Sequence, residues 1–88
     1  MPLREIVEAP NFKYDLDMYR QNYPQMDQIY RDAKAVLQDK PSEGWIISPG
    51  LDFRRYLTYA TDDTPGFYIY YTYDNEHIYT HQITKVGL

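Results

Sequence analysis

One segment of this chain constrains its fold more than any other. From Phe67 to Tyr73 every residue is aromatic or β-branched. Such side chains favour extended backbone, and an apolar run of this length is typical of a central strand. Asp74-Asn75-Glu76 then supplies turn residues, and His77 to Thr84 has the composition of a second strand. The sequence therefore predicts a β-hairpin in the last quarter of the chain.

The first half has the periodicity of helices instead. One apolar stripe predicts a helix that begins after an Asn11 N-cap and ends before Pro24; its members are Phe12, Leu16, Tyr19 and Tyr23. A longer stripe predicts a second helix over 24–39; its members are Met26, Ile29, Tyr30, Ala33, Val36 and Leu37.

The remaining strand signals lie on both sides of these helices. Residues 3–8 precede Pro10 and predict a first strand. Residues 45–48 and 53–59 predict two more, joined by a turn at Pro49-Gly50. The order β-α-α-β-β-β-β predicts a single α+β domain over 1–88. We expect an antiparallel sheet of four or five strands with both helices packed on one face.

Alternation along each strand predicts which side chains face the helices. In the segment 53–59 we expect Phe53 and Leu57 to face the helices. The opposite face would then carry Arg54, Tyr56 and Thr58. In the segment 67–73 we expect Phe67, Ile69 and Tyr71 to face the helices, which leaves Tyr68, Tyr70 and Thr72 outside. Ile78 and Ile83 cannot share a face without a β-bulge, so the directions of Tyr79 and His81 stay open.

Composition limits the kinds of site and partner that the chain can have. The 88 residues include no cysteine, which excludes disulfides, thiolate metal sites and a cysteine nucleophile. The net charge of -4 counts against a protein that holds nucleic acid by phosphate neutralisation. No apolar run has the length of a signal peptide or a membrane span, so we expect a cytoplasmic protein with no membrane partner. We expect no cofactor and no metal, because His77 and His81 are too far apart on one strand to share an ion.

The arrangement of these segments resembles the RelE/ParE toxin superfamily. The likeness rests on a strand and two helices, then Asp39-Lys40-Pro41-x-x-Gly44, Ser48-Pro49-Gly50, Arg54-Arg55-Tyr56 and the run Phe67-Tyr68-Ile69-Tyr70-Tyr71. It implies the toxin of a type II toxin–antitoxin pair, neutralised by a cognate antitoxin protein. RelE-type members cleave mRNA in the ribosome, whereas ParE-type members poison DNA gyrase.

The resemblance also implies candidate catalytic residues. In RelE-type toxins, metal-free cleavage uses basic residues and a Tyr or His on the sheet and near the C-terminus. Arg54 or Arg55 matches the arginine of the strand after the turn, and His81 and Lys85 fall where the family often ends in His, Arg or Tyr. Where many members carry a second arginine, this chain has Tyr68. Because alternation places Arg54 outside, we expect activity to depend on Arg54 more than on either histidine.

A non-catalytic function is the alternative. The tyrosines expected outside, Tyr56, Tyr68 and Tyr70, are suited to stacking on bases or to binding a protein. Few lysines or arginines accompany them, which favours a protein partner. The sequence therefore leaves two hypotheses: a toxin that acts through a cation on the sheet, and a degenerate relative that binds a partner through tyrosines.

Overall fold

The computed structural model describes residues 3–48, 50 and 52–87. Its elements follow in the order β1 (Glu5–Glu8), α1 (Pro10–Asn22), α2 (Met26–Asp39), a 3₁₀ turn (Pro41–Glu43), β2 (Trp45–Ser48), β3 (Phe53–Leu57), β4 (Phe67–Tyr73) and β5 (His77–Lys85). The α+β class is confirmed. The predicted turn includes Pro49, which lies outside the described residues. None of the described helices is long and apolar enough to cross a membrane.

The five strands form one sheet in the order β1-β5-β4-β3-β2. The pairs from β2 to β5 are antiparallel, but β1 pairs parallel with β5, so the prediction of an all-antiparallel sheet is wrong. Three antiparallel pairings lead from β2 to β5, so β5 runs opposite to β2. Since β1 runs parallel to β5, the two edge strands β1 and β2 run in opposite directions.

The core lies between the helices and one sheet face. Its buried members are Phe12, Leu16, Met26, Ile29, Tyr30, Ala33, Leu37, Phe67, Ile69, Tyr71, Ile78 and Ile83. Both helical stripes are confirmed by this burial. Helix α1 begins two residues earlier than expected, at Pro10 with Ala9 as N-cap, because the fixed φ of proline suits the first helical turn. The side chain of Asn11 does not cap the helix and instead donates a hydrogen bond to the His81 carbonyl at 2.8 Å.

Strand β5 contains the β-bulge that its two isoleucines require. Tyr70 pairs with Gln82, but the next residue of β4 pairs with Thr80, so His81 is the extra residue. The bulge allows Ile78 and Ile83 both to be buried on the helix side. It also places His81 on the face that points away from the helices, where its ring packs against Phe53.

Strand β3 faces the opposite way from the prediction. Arg54 pairs with Tyr71 and Tyr56 pairs with Ile69. Directly paired residues point to the same face, and both β4 partners are fully buried. Arg54, Tyr56 and Thr58 therefore lie on the helix side. Phe53 and Leu57, which alternation placed inside, lie outside.

The reason for this reversal is that the inward polar side chains of β3 have backbone partners. Arg54 Nη1 donates to the carbonyls of Gly44 at 2.8 Å and Ser42 at 3.2 Å. The Thr58 hydroxyl accepts a hydrogen bond from the Phe67 amide at 2.9 Å. A polar group can be buried when it is hydrogen-bonded, so hydrophobicity alone does not determine how this strand faces.

Candidate functional site on the bare sheet face

Both helices pack on one side of the sheet, and the side chains on the other side form what we call the outer face. On β4 the prediction is confirmed, since Phe67, Ile69 and Tyr71 are buried while Tyr68 and Tyr70 point away. The outer face is built around aromatic rings; it comprises Trp45, Phe53, Arg55, Leu57, Tyr68, Tyr70, Thr72, Tyr79 and His81. An aromatic surface of this kind is typical of a binding site.

Arg55 supplies the positive charge at one end of this face. Its guanidinium carbon lies 4.4 Å from the ring centroid of Tyr68 and 5.8 Å from that of Trp45. Among the described residues, no carboxylate lies within ion-pair distance of it. Stacking on the rings fixes the side chain without neutralising its charge, so the guanidinium donors can bind an anionic group.

His81 lies on the same face at the bulge of β5. Its ring meets that of Phe53 edge-on at 5.7 Å, and its Nε2 is 2.8 Å from the Thr72 hydroxyl oxygen. In the tautomer in which Nε2 donates to Thr72, Nδ1 has a free lone pair and can accept a proton. The contact with Thr72 therefore orients the imidazole as a base would need.

Arg55 and His81 lie toward opposite ends of the outer face. The guanidinium is over the ring of Tyr68, whereas His81 contacts Thr72, which is four residues farther along β4, or about 13 Å. The rings of Tyr70 and Phe53 lie between the two groups. Arg55 and His81 can therefore bind different nucleotides of one extended strand, but not the same phosphate.

Three of the predicted site residues lie elsewhere. Arg54 and Tyr56 are on the helix side of β3, so the expectation that they share the outer face is wrong. Arg54 holds the backbone of the 3₁₀ turn through its two carbonyl contacts. Lys85 pairs with the buried Phe67 and therefore points to the helix side, at the exposed end of β5. The structure brings together Arg55, His81, Tyr68 and Tyr70.

The 3₁₀ turn positions Trp45 beside Arg55. The Tyr71 hydroxyl, which lies below the sheet, donates to the Pro41 carbonyl and accepts a hydrogen bond from the Gly44 amide at 3.0 Å. Burial raises the pKa of Tyr71 and keeps this hydroxyl protonated. A Cβ on Gly44 would lie 2.5 Å from the Tyr71 oxygen and 2.7 Å from the Arg55 carbonyl oxygen, so this position requires glycine.

A small pocket opens next to Arg55, where β3 extends beyond the first residue of β2. Its volume is about 140 Å³, and its lining includes Glu43, Trp45 and Leu57. A wider cavity of about 500 Å³ lies between β1 and α2, lined in part by Glu5 and Glu8. The wider cavity has two carboxylates and one cation, Lys34, whereas the pocket beside Arg55 has one carboxylate, Glu43, and one cation, so the pocket repels a phosphate less.

The second histidine, His77, lies between two carboxylates at the β4–β5 turn. Its Nδ1 lies 3.4 Å from an Asp74 carboxylate oxygen and its Nε2 lies 3.8 Å from Glu5. Backbone amides of Glu76 and His77 and the Tyr79 hydroxyl also donate to Asp74, which lowers the pKa of that carboxyl to about 2. These contacts hold the β4–β5 turn. The described residues contain no group of three histidine or carboxylate side chains that could hold a metal ion.

Sequence reasoning missed Trp45 and Phe53 as parts of the outer face, whereas it placed Thr72 there correctly. The positions of Trp45 and Phe53 depend on strand pairing, because Trp45 is opposite Arg55 and Phe53 precedes the inward Arg54. The predicted bulge was the one signal that could have located His81. No family model, curated protein or solved structure matches the chain.

Proposed function

We propose that this chain is the toxin of a toxin–antitoxin pair and that it cleaves single-stranded RNA at the outer face without a metal ion. The observation that carries the proposal is the arrangement of Arg55 and His81, which place an unneutralised guanidinium and an oriented imidazole on one aromatic surface. The order of strands and helices that prompted the resemblance to RelE/ParE toxins supports it. Messenger RNA on the ribosome is the proposed substrate, which makes the cytoplasm its site of action.

Each group has a defined part in the reaction. The exposed ring of Trp45 stacks on an unpaired base and so fixes the strand. His81 Nδ1 removes the proton from a ribose 2′-hydroxyl, whose oxygen then attacks the adjacent phosphorus. Arg55 binds the phosphate of another nucleotide of the same strand and so holds the RNA on the face. The bond from phosphorus to the 5′-oxygen breaks, water protonates that oxygen, and the products carry a 2′,3′-cyclic phosphate and a 5′-hydroxyl.

The test combines induced expression in cells with mRNA cleavage in a translating extract, in which the chemistry of the new RNA ends is analysed. Arg55→Ala and His81→Ala should each reduce cleavage about a hundredfold, the usual effect of losing one charged or proton-transferring group. His77→Ala is the matched control, since it removes the other imidazole of the same strand and should retain cleavage. Wild-type activity without a 2′,3′-cyclic phosphate end would contradict the mechanism.

A second function is favoured by one specific observation, the scarcity of positive charge on the outer face. Arg55 is its one described lysine or arginine, and rings provide most of the remaining surface. A face of this composition is also suited to a protein partner, to which tyrosines offer large contact area at low entropic cost. Growth arrest without RNA cleavage would indicate DNA gyrase as the target. No arrest at all would indicate a non-catalytic interaction domain.

A further inference from the structure

The two edge strands of the sheet differ in their charge. β1 forms one edge and contains two glutamates in four residues, Glu5 and Glu8. β2 forms the other edge, has the sequence Trp-Ile-Ile-Ser and carries no charge. Charged side chains on an edge strand discourage pairing with another chain, and apolar ones permit it. The β1 edge is therefore protected by charge, while the β2 edge has only its short length and the register shift between Ile46 and Ser48.

The side chains of β2 are also unusually exposed. Trp45, Ile46 and Ile47 are 63%, 54% and 42% exposed, and they are consecutive. Pairing with β3 places Trp45 on the outer face and Ile46 on the helix side, so apolar surface lies on both sides of this edge. Among the described strands, none but β3 pairs with β2. Its second edge presents free backbone donors and acceptors beside exposed apolar groups.

We propose that β2 pairs antiparallel with β2 of a second copy of this chain. In a two-fold symmetric antiparallel interface, the residue on the axis faces its own counterpart, so a charge at that position would face a like charge. The chain has a net charge of -4, yet its four β2 residues are neutral. A neutral seam is what self-pairing requires, whereas a strand of a different protein could be matched by opposite charges.

The proposed pairing has a defined geometry and strength. With the two-fold axis near Ile46, this side chain packs against its counterpart on the helix side. The seam is four residues long, or about 13 Å, and is smaller than the interface of a tight complex. We therefore expect a reversible dimer with a dissociation constant in the micromolar range. This inference is independent of the function proposed for the outer face.

Sedimentation velocity between about 1 µM and about 500 µM tests the proposal. The wild-type chain should change from monomer to dimer over this range. Ile46→Lys should remain monomeric, because it places two lysines against each other on the seam. Val7→Lys is the control, since Val7 is a similarly exposed apolar residue of the β1 edge, at 43%. A dimer lost in Val7→Lys but retained in Ile46→Lys would assign pairing to the wrong edge and overturn the proposal.

A charge-swap experiment distinguishes a second copy from any other partner. Ile46→Lys and Ile46→Glu should each be monomeric alone and should form a heterodimer when mixed, because opposite charges then meet across the seam. Hydrogen exchange should show slower exchange of the β2 amides in the mixture than in either variant. A wild-type chain that stays monomeric up to the highest concentration refutes the proposal, as does a mixture that stays monomeric. These readouts do not depend on RNA cleavage.

Discussion

The two adjacent arginines of β3 should respond to mutation in different ways, because they lie on opposite sides of the sheet. Arg54 Nη1 donates to the carbonyls of Gly44 and Ser42, and its Nε is buried without a partner. Hydrogen bonds from a charged donor contribute about 1.5–3 kcal/mol, and the longer bond belongs at the low end. Arg54→Ala also removes the buried Nε that has no partner, and this gain offsets part of the lost hydrogen-bond energy. We expect Arg54→Ala to lower the free energy of unfolding by about 2 kcal/mol.

Arg55→Ala should have a smaller effect on stability. It removes the contact of the guanidinium with the rings of Tyr68 and Trp45, and such contacts contribute about 0.5–1 kcal/mol at exposed sites. Urea unfolding followed by far-UV circular dichroism measures both variants. In a domain of this size, 1 kcal/mol corresponds to about 4–8 °C in Tm, so the two variants can be separated by melting as well.

Two further variants isolate the cause. Arg54→Met keeps the apolar stem of the side chain and removes its hydrogen bonds, so most of the loss should persist. Arg31→Ala changes an exposed arginine of α2 and should alter stability by less than about 0.5 kcal/mol. If Arg55→Ala destabilises the chain as much as Arg54→Ala, the assignment of the two arginines to opposite faces is wrong.

Three other predictions concern the supports of the fold. Gly44→Ala should lower the free energy of unfolding in urea by about 2–4 kcal/mol, because its Cβ would collide with the buried Tyr71 hydroxyl and one hydrogen bond would be lost. A decrease below about 0.5 kcal/mol would contradict the packing at this position. The pKa of the Asp74 carboxyl falls from 3.8 to about 2 on folding, so its contribution to the free energy of unfolding is complete above about pH 4 and is lost toward pH 2. Asp74→Asn should therefore make Tm depend less on pH in this range. Burial, reinforced by the hydrogen bond to Glu8, raises the pKa of Tyr30 above 10.0. The free energy of unfolding should therefore fall as the pH rises beyond about 10, and this fall should be less steep in Tyr30→Phe.

The sequence alone determined those elements whose hydrophobic pattern fits only one kind of secondary structure and one facing. The stripe from Met26 to Leu37 places a single apolar face on a helix, and the segment 67–73 is a strand with the predicted bounds and facing. The need for a bulge between Ile78 and Ile83 also followed from sequence, because two isoleucines five residues apart fall on opposite faces of a regular strand. In each case the local pattern and the tertiary packing favour the same answer.

The tertiary structure alone decided how β3 faces and therefore which arginine belongs to the candidate site. Alternation favoured Phe53 and Leu57 as the inward residues of β3, but the contacts of the folded chain reversed this preference. Pairing with the buried Ile69 and Tyr71 directs Tyr56 and Arg54 inward, and the carbonyls of the 3₁₀ turn satisfy the guanidinium. These partners lie many residues away along the chain. Their contacts arise once the sheet has formed, which is why a pattern of single residues could not place Arg55 on the outer face.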